Sequence, residues 1–183
     1  MQRIQPTENP QGKAEDLLNR AEKAAGARLN IFKLMANAPC VLESYLEFSR
    51  SLFSGKLSEA LRESIALCVA GYNGCDYCAS AHTAMGQRAG LSEDELARNL
   101  RGQSSDSRTQ AALDFCKAIL DTHGGISEAD LQACRDAGFS DEECCEIQAN
   151  VCLNIFTNYF NRCFGTEVDL PKHVSAQEAR RAA

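Results

Sequence analysis

The sequence predicts an all-α fold, a compact bundle of about eight or nine helices. Three observations carry that expectation. Apolar residues recur at three- and four-residue spacing almost throughout, while two-residue alternation is nearly absent. Capping serines and stop glycines punctuate the apolar runs. A chain of 183 residues with 44% hydrophobic and 24% charged residues has the length and composition of one domain with one full core.

The elements follow in order. Residues 1–12 hold two prolines and a glycine and read as a flexible arm. "GKAEDLLNRAEKAAG" predicts the first helix, and "ARLNIFKLMANAP" a short second one stopped near Pro39. "PCVLESYLEFSRSLFSG" predicts a third, with Pro39 near its start and Gly55 past its end. "LSEALRESIALCVAGYNG" is a fourth, with Ser58 as N-cap and Asn73-Gly74 as its stop. The fifth starts around Cys75 and ends near Gly90. "LSEDELARNLRG" is the sixth, with Ser92 as cap and Glu95 in the capping-box position. "DSRTQAALDFCKAILDTHGG" is the seventh, and Ser127 caps the eighth in "SEADLQACRDAGF". "SDEECCEIQANVCLNIFTNYFNRCFG" is the last and longest. Residues 13–171 thus form one helical domain, and 172–183 a charged peripheral tail.

The net charge is -6, from 19 basic and 25 acidic residues. Phosphate neutralisation needs a basic face, so nucleic acid is not the expected partner. The polar start "MQRIQPTENPQGKAEDLL" is not a signal peptide, and no apolar run approaches the ~20 residues of a bilayer span. The expectation is a soluble, cytoplasmic protein without a membrane partner.

Ten cysteines fall below the density of a disulfide scaffold. Cys68, Cys116 and Cys152 lie in apolar helical patterns and read as core packing, as does the vicinal pair Cys144-Cys145. In a reducing compartment, chemistry belongs to cysteines in a local motif. That motif is "GYNGCDYCASAHTAMG". Cys75 and Cys78 stand at i and i+3, and His82 follows Cys78 at i+4, so one helical stripe carries all three. A helix start favours a thiolate, and C-x-x-C placement lowers a thiol below the ordinary ~8.5. The Asn73-Gly74 break suggests that this helix folds back along the preceding one. Counting 1.5 Å per residue puts Glu63 ~14 Å before the turn and His82 ~10 Å after Cys75, at similar heights. Glu63 continues into the apolar stripe of Leu67 and Ala70, where a carboxylate needs a partner. The expected relay has Glu63 orienting His82, and His82 taking a thiol proton. The helix start favours Cys75 as the reactive thiol, and the histidine spacing favours Cys78.

The spacing Glu63, eleven residues, then Cys75-x-x-Cys78-x-x-x-His82 resembles the alkylhydroperoxidase D (AhpD) branch of the carboxymuconolactone decarboxylase family. Further similarity runs through "HTAMGQRAGLSEDEL" and "NIFTNYFNRCFGTEVDLP", over roughly residues 28–171. The resemblance implies a thiol peroxidase in which Cys78 attacks a hydroperoxide and Cys75 resolves the product as a disulfide. It implies no metal, haem or flavin, an external dithiol electron donor, and assembly into trimers or hexamers. Tyr77 is a departure, since AhpD often has a second histidine there; it is a candidate for lining the substrate pocket.

Other readings stand beside this one. The chain could be a disulfide reductase or adaptor for a peroxiredoxin, a lactone decarboxylase, or a non-catalytic redox-sensing module. Structural zinc wants four ligands, and His123 and His173 lack neighbouring ones. His123 is expected at a helix C-terminus and His173 in solvent. The run "IFTNYFNRCF" reads as core or subunit interface, with Asn154, Asn158 and Asn161 as a polar stripe facing a cleft.

Overall fold

The structure is a computed structural model and describes residues 2–7, 9–170 and 173–176. Among them lie nine α-helices and no strand: α1 Lys13–Ala25, α2 Asn30–Met35, α3 Pro39–Phe53, α4 Glu59–Asn73, α5 Asp76–Arg88, α6 Glu93–Leu100, α7 Ser107–Thr122, α8 Glu128–Asp136 and α9 Asp141–Phe164. The all-α bundle is therefore as the periodicity predicts.

The helix α4 is the axis of the fold and packs against α5, α6, α7 and α9. Such a helix must be apolar on nearly every side. Leu67 and Ala70 face one core with α1, α2, α3 and the start of α5. Leu61, Ile65, Cys68 and Val69 face a second core built from α7, α8 and α9. Ile65, Leu67 and Val69 are fully buried, each contributing about 1.5–3 kcal/mol of hydrophobic transfer energy. Gly71 of α4 packs directly against the end of α6. A Cβ there would collide with the backbone carbonyl of Leu100.

Local signals set most boundaries. Ser58, Ser92, Ser127 and Ser140 each accept a hydrogen bond from the third backbone N–H of their helix. The boxes close at Ser127 with Asp130 and at Ser140 with Glu143. Glu95 does otherwise. Its carboxylate leaves Ser92 and accepts from Asn99, Ser104 and Ser105, anchoring the α6–α7 loop. The stop of α7 is His123, just before the Gly124-Gly125 pair. His123 adopts the left-handed conformation at φ 55, and its N–H closes the helix end.

The cysteine expectations need correction at two places. Cys68, Cys116 and Cys144 are buried, but Cys145 and Cys152 are exposed. Neighbours on a helix point about 100° apart, so α9 buries Cys144 and turns Cys145 outward. Cys144 Sγ lies 3.5 Å from Cys134 Sγ of α8.

Described residues of the N-terminal arm and of the C-terminal tail touch the bundle. Arg3 N–H donates to Phe164 O and Thr7 N–H to Lys33 O. Of the tail, only residues 173–176 are described. Val174 and Ala176 N–H donate to Ser80 and Asp76 of α5, Ala176 is fully buried, and His173 is exposed. This part of the tail is thus held against the fold.

Candidate active site

The α4–α5 turn builds the thiol pair. Gly74 takes the left-handed conformation (φ 65) that ends α4. Gly74 N–H donates to Gly71 O at 3.2 Å, and Cys75 N–H to Ala70 O at 3.0 Å. This double bond is a Schellman stop. Cys75 was expected in the first turn of α5; it is instead the N-cap, in extended conformation, and its Sγ accepts from Cys78 N–H at 3.3 Å. One residue therefore ends α4 and starts α5. Cys75 and Cys78, with Cα atoms 5.4 Å apart, are joined as a disulfide.

The tight turn lays α5 against α4, and this carries Glu63 to His82. Glu63 Oε2 is 2.8 Å from His82 Nδ1. The Glu63 side chain is only 4% exposed and that of His82 18%. An ionised carboxylate only accepts, so Nδ1–H donates, leaving Nε2 as the basic nitrogen. Gly86 lies one turn past His82, where a Cβ would meet the Leu96 side chain of α6 at 2.6 Å but Glu63 Cβ only at an ordinary contact distance of 3.7 Å.

A groove of about 810 Å³ opens over this region. Cys78, His82, Tyr77, Tyr45, Met85 and Asn161 are among its lining residues, with Leu29, Ile31, Phe32 and Leu46 giving an apolar wall. Cys78 lines it and Cys75 does not. A smaller adjoining cavity of about 80 Å³ shares His82, Tyr45 and Thr157 with the groove and adds Glu63, Asn150 and Asn154. Tyr77 is buried in the wall. Its hydroxyl donates to Asp169 Oδ1 at 2.9 Å and accepts from Ile31 N–H at 3.4 Å. Burial, then the Asp169 carboxylate, push that phenol well above its ordinary value. Burial also raises Tyr45.

The structure brings together the residues of the expected relay as two pairs, Glu63 with His82 and Cys75 with Cys78, with Tyr77 beside them. Tyr45 and Asp169 were missed, as was the contact of Asn161 with Cys78. Asn161 Nδ2 lies 3.3 Å from Cys78 Sγ. The spacing of Asn154, Asn158 and Asn161 was a signal for a polar stripe facing a cleft, and Asn161 lines the groove and Asn154 the adjoining cavity, but it did not show what the stripe reaches. His123 and His173 are not among the lining residues. Among the described residues, no cluster of three or more His, Cys, Asp or Glu side chains is arranged to hold a metal ion.

This all-α bundle has the fold of AhpD-like proteins. Residues 39–121 match the carboxymuconolactone decarboxylase family, and that match spans α3 to α7 and includes the whole Glu63–His82 motif. The sequence matches no curated protein. Solved structures with the same fold include the AhpD-core, peroxidase-related protein of Ralstonia eutropha JMP134, at 24% identity and a TM-score of 0.76 over 97% of this chain and 96% of that one. A peroxidase-related protein of Silicibacter sp. TM1040 gives 23% and 0.77, over 97% and 99%. The debrominase Bmp8, solved with 2,3,4-tribromopyrrole, gives 19% and 0.73, over 99% and 93%.

Proposed function

We propose that this protein is a thiol-dependent peroxidase that reduces organic hydroperoxides. The single observation that carries the reading is the 2.8 Å Glu63–His82 contact beside a groove lined by Cys78, itself bonded to Cys75. A base oriented by a buried carboxylate, one helical turn from a thiol, is the arrangement that nucleophilic thiol chemistry needs.

The step balances as follows. His82 takes the proton of Cys78, and the thiolate attacks the terminal oxygen of R–O–O–H. The O–O bond breaks, Cys78 becomes the sulfenic acid, and the leaving alkoxide takes the proton from His82 to give R–OH. Cys75 then attacks the sulfenic sulfur, releasing water and forming the Cys75–Cys78 disulfide. An external dithiol restores both thiols by exchange. Cys78 is assigned the attack because it lines the groove, and the apolar wall suits an organic hydroperoxide. A small-molecule or protein dithiol of the cytosol is the expected donor, and a peroxiredoxin a possible electron acceptor in the adaptor mode. Phe156 and Tyr159, exposed on α9, are proposed to lie in a subunit interface, for which light scattering would show a mass above that of one chain.

The test is hydroperoxide consumption with a dithiol donor, comparing wild type with Cys78→Ser. Loss of turnover in the variant is expected, and turnover that survives the substitution would overturn the assignment.

A second reading comes from the breadth of the apolar groove and the debrominase likeness. The same dithiol can reduce a bromoarene, giving Ar–H, bromide, a proton and the disulfide. Bromide release from a bromopyrrole without hydroperoxide turnover would favour it.

A further inference from the structure

Asn161 sits near the end of α9 and is 3% exposed. Its backbone carbonyl accepts from Gly165 N–H and, at 3.0 Å, from Thr166 N–H. The end of α9 therefore fixes the residue in place. Its Nδ2 is aimed at Cys78 Sγ, 3.3 Å away. Its Oδ1 is buried without a hydrogen-bond partner among the described residues. For the Nδ2–H donor, a disulfide sulfur is only a weak acceptor. A thiolate at the same position accepts a charge-assisted bond, roughly twice as strong as a neutral one. The contact thus favours one state of Cys78 over the other.

We propose that Asn161 is a catalytic residue that holds Cys78 as a thiolate through its Nδ2–H. This rests on Cys78 being the reactive thiol and not on which substrate it meets. The same amide serves attack on a hydroperoxide, on a bromoarene or on a protein disulfide. It also makes the Cys75–Cys78 disulfide easier to reduce, since it stabilises a product of reduction. The other charged and titratable groups lining the groove are Glu59 on α4, Tyr77, His82 and Arg88 on α5, Tyr45 on α3, and Asp169 beyond α9, with Arg62 and Glu63 of α4 in the adjoining cavity. None of these is altered by a change at Asn161, so a shift is attributable to the amide.

The experiment follows the pH dependence of Cys78 alkylation by iodoacetamide, read by peptide mass spectrometry. The full-length chain carries Cys75→Ser so that Cys78 stays a thiol, with Asn161 native, Ala or Asp. The midpoint is expected to rise by about one pH unit in Asn161→Ala, tenfold in thiolate at neutral pH. It should rise further in Asn161→Asp, which keeps the shape and adds a like charge. Mere loosening of the helix would shift Ala and Asp alike. With Cys75 present, the reduction potential of the pair should fall by up to about 30 mV in Asn161→Ala, the equivalent of that tenfold change. Midpoints that coincide across the three chains, or an Asp midpoint below that of Ala, would overturn the proposal. A wild type inert to hydroperoxides would refute the peroxidase reading while leaving these two measurements decisive.

Discussion

Replacing Glu63 with Gln removes a negative charge and almost no volume. Glu63 is 3% exposed, and its carboxylate meets His82 Nδ1 at 2.8 Å. A hydrogen bond to a charged group is worth about 1.5–3 kcal/mol, and a neutral one about 0.5–1.5 kcal/mol. The glutamine retains a neutral bond through Oε1, so the loss in stabilising the imidazolium is about 1–1.5 kcal/mol. At 1.36 kcal/mol per tenfold, the oxidation of Cys78 should slow by roughly 10-fold. Glu63→Ala removes the bond altogether and should cost about 10- to 150-fold. The assay is stopped-flow oxidation of the reduced protein by a hydroperoxide, scored at Cys78. Thermal melting is the control. A buried charge is costly to desolvate, so Glu63→Gln should keep the melting temperature within a few degrees. A folded Glu63→Gln that reacts within twofold of wild type would refute the relay.

Three further outcomes are expected. Cys75→Ser should leave the sulfenic acid of Cys78 unresolved after one equivalent of hydroperoxide, trapped by a dimedone probe; labelling at Cys75 in the converse Cys78→Ser protein alone would reverse the order of the thiols. Gly71→Ala places a Cβ on the Leu100 carbonyl and should destabilise the chain by about 1–3 kcal/mol, read as a lower melting temperature at about 2–4 °C per kcal/mol. Burial, then the neighbouring Cys144, push the Cys134 thiol up to about 12, and a hydrogen bond donated to Cys68, then burial, raise Cys116 well above its ordinary value. Both thiols bind protons more tightly folded than unfolded. Their contribution to stability is therefore full below the unfolded thiol value of about 8.5 and is lost as pH rises towards 12. The melting temperature should fall over that window, and iodoacetamide at pH 8 should miss Cys134 until the chain unfolds.

Much of the site was legible because its parts are local. Cys75, Cys78 and His82 lie within one helix and its cap, where three- and four-residue spacing alone aligns them. Glu63 was within reach because Asn73-Gly74 signals a tight reversal, and rise per residue then gives its height. Glu95 shows the limit of such reasoning. It occupies the box position, yet Ser104 and Ser105 draw its carboxylate away. Cys152 shows another limit, since an apolar neighbourhood in sequence does not say which side of α9 faces the core.

The sequence by itself determined the helices, most of their caps and the pairing of Glu63 with His82. Those follow from periodicity and from hydrogen bonds a few residues long. Tertiary structure alone decided that Cys78 lines the groove, that Tyr77 bonds to Asp169, and that Asn161 reaches Cys78 from 83 residues away. These contacts depend on how α9 is rotated and how deeply it sits against α4 and α5. That is set by close packing of two whole cores, which no spacing along the chain records.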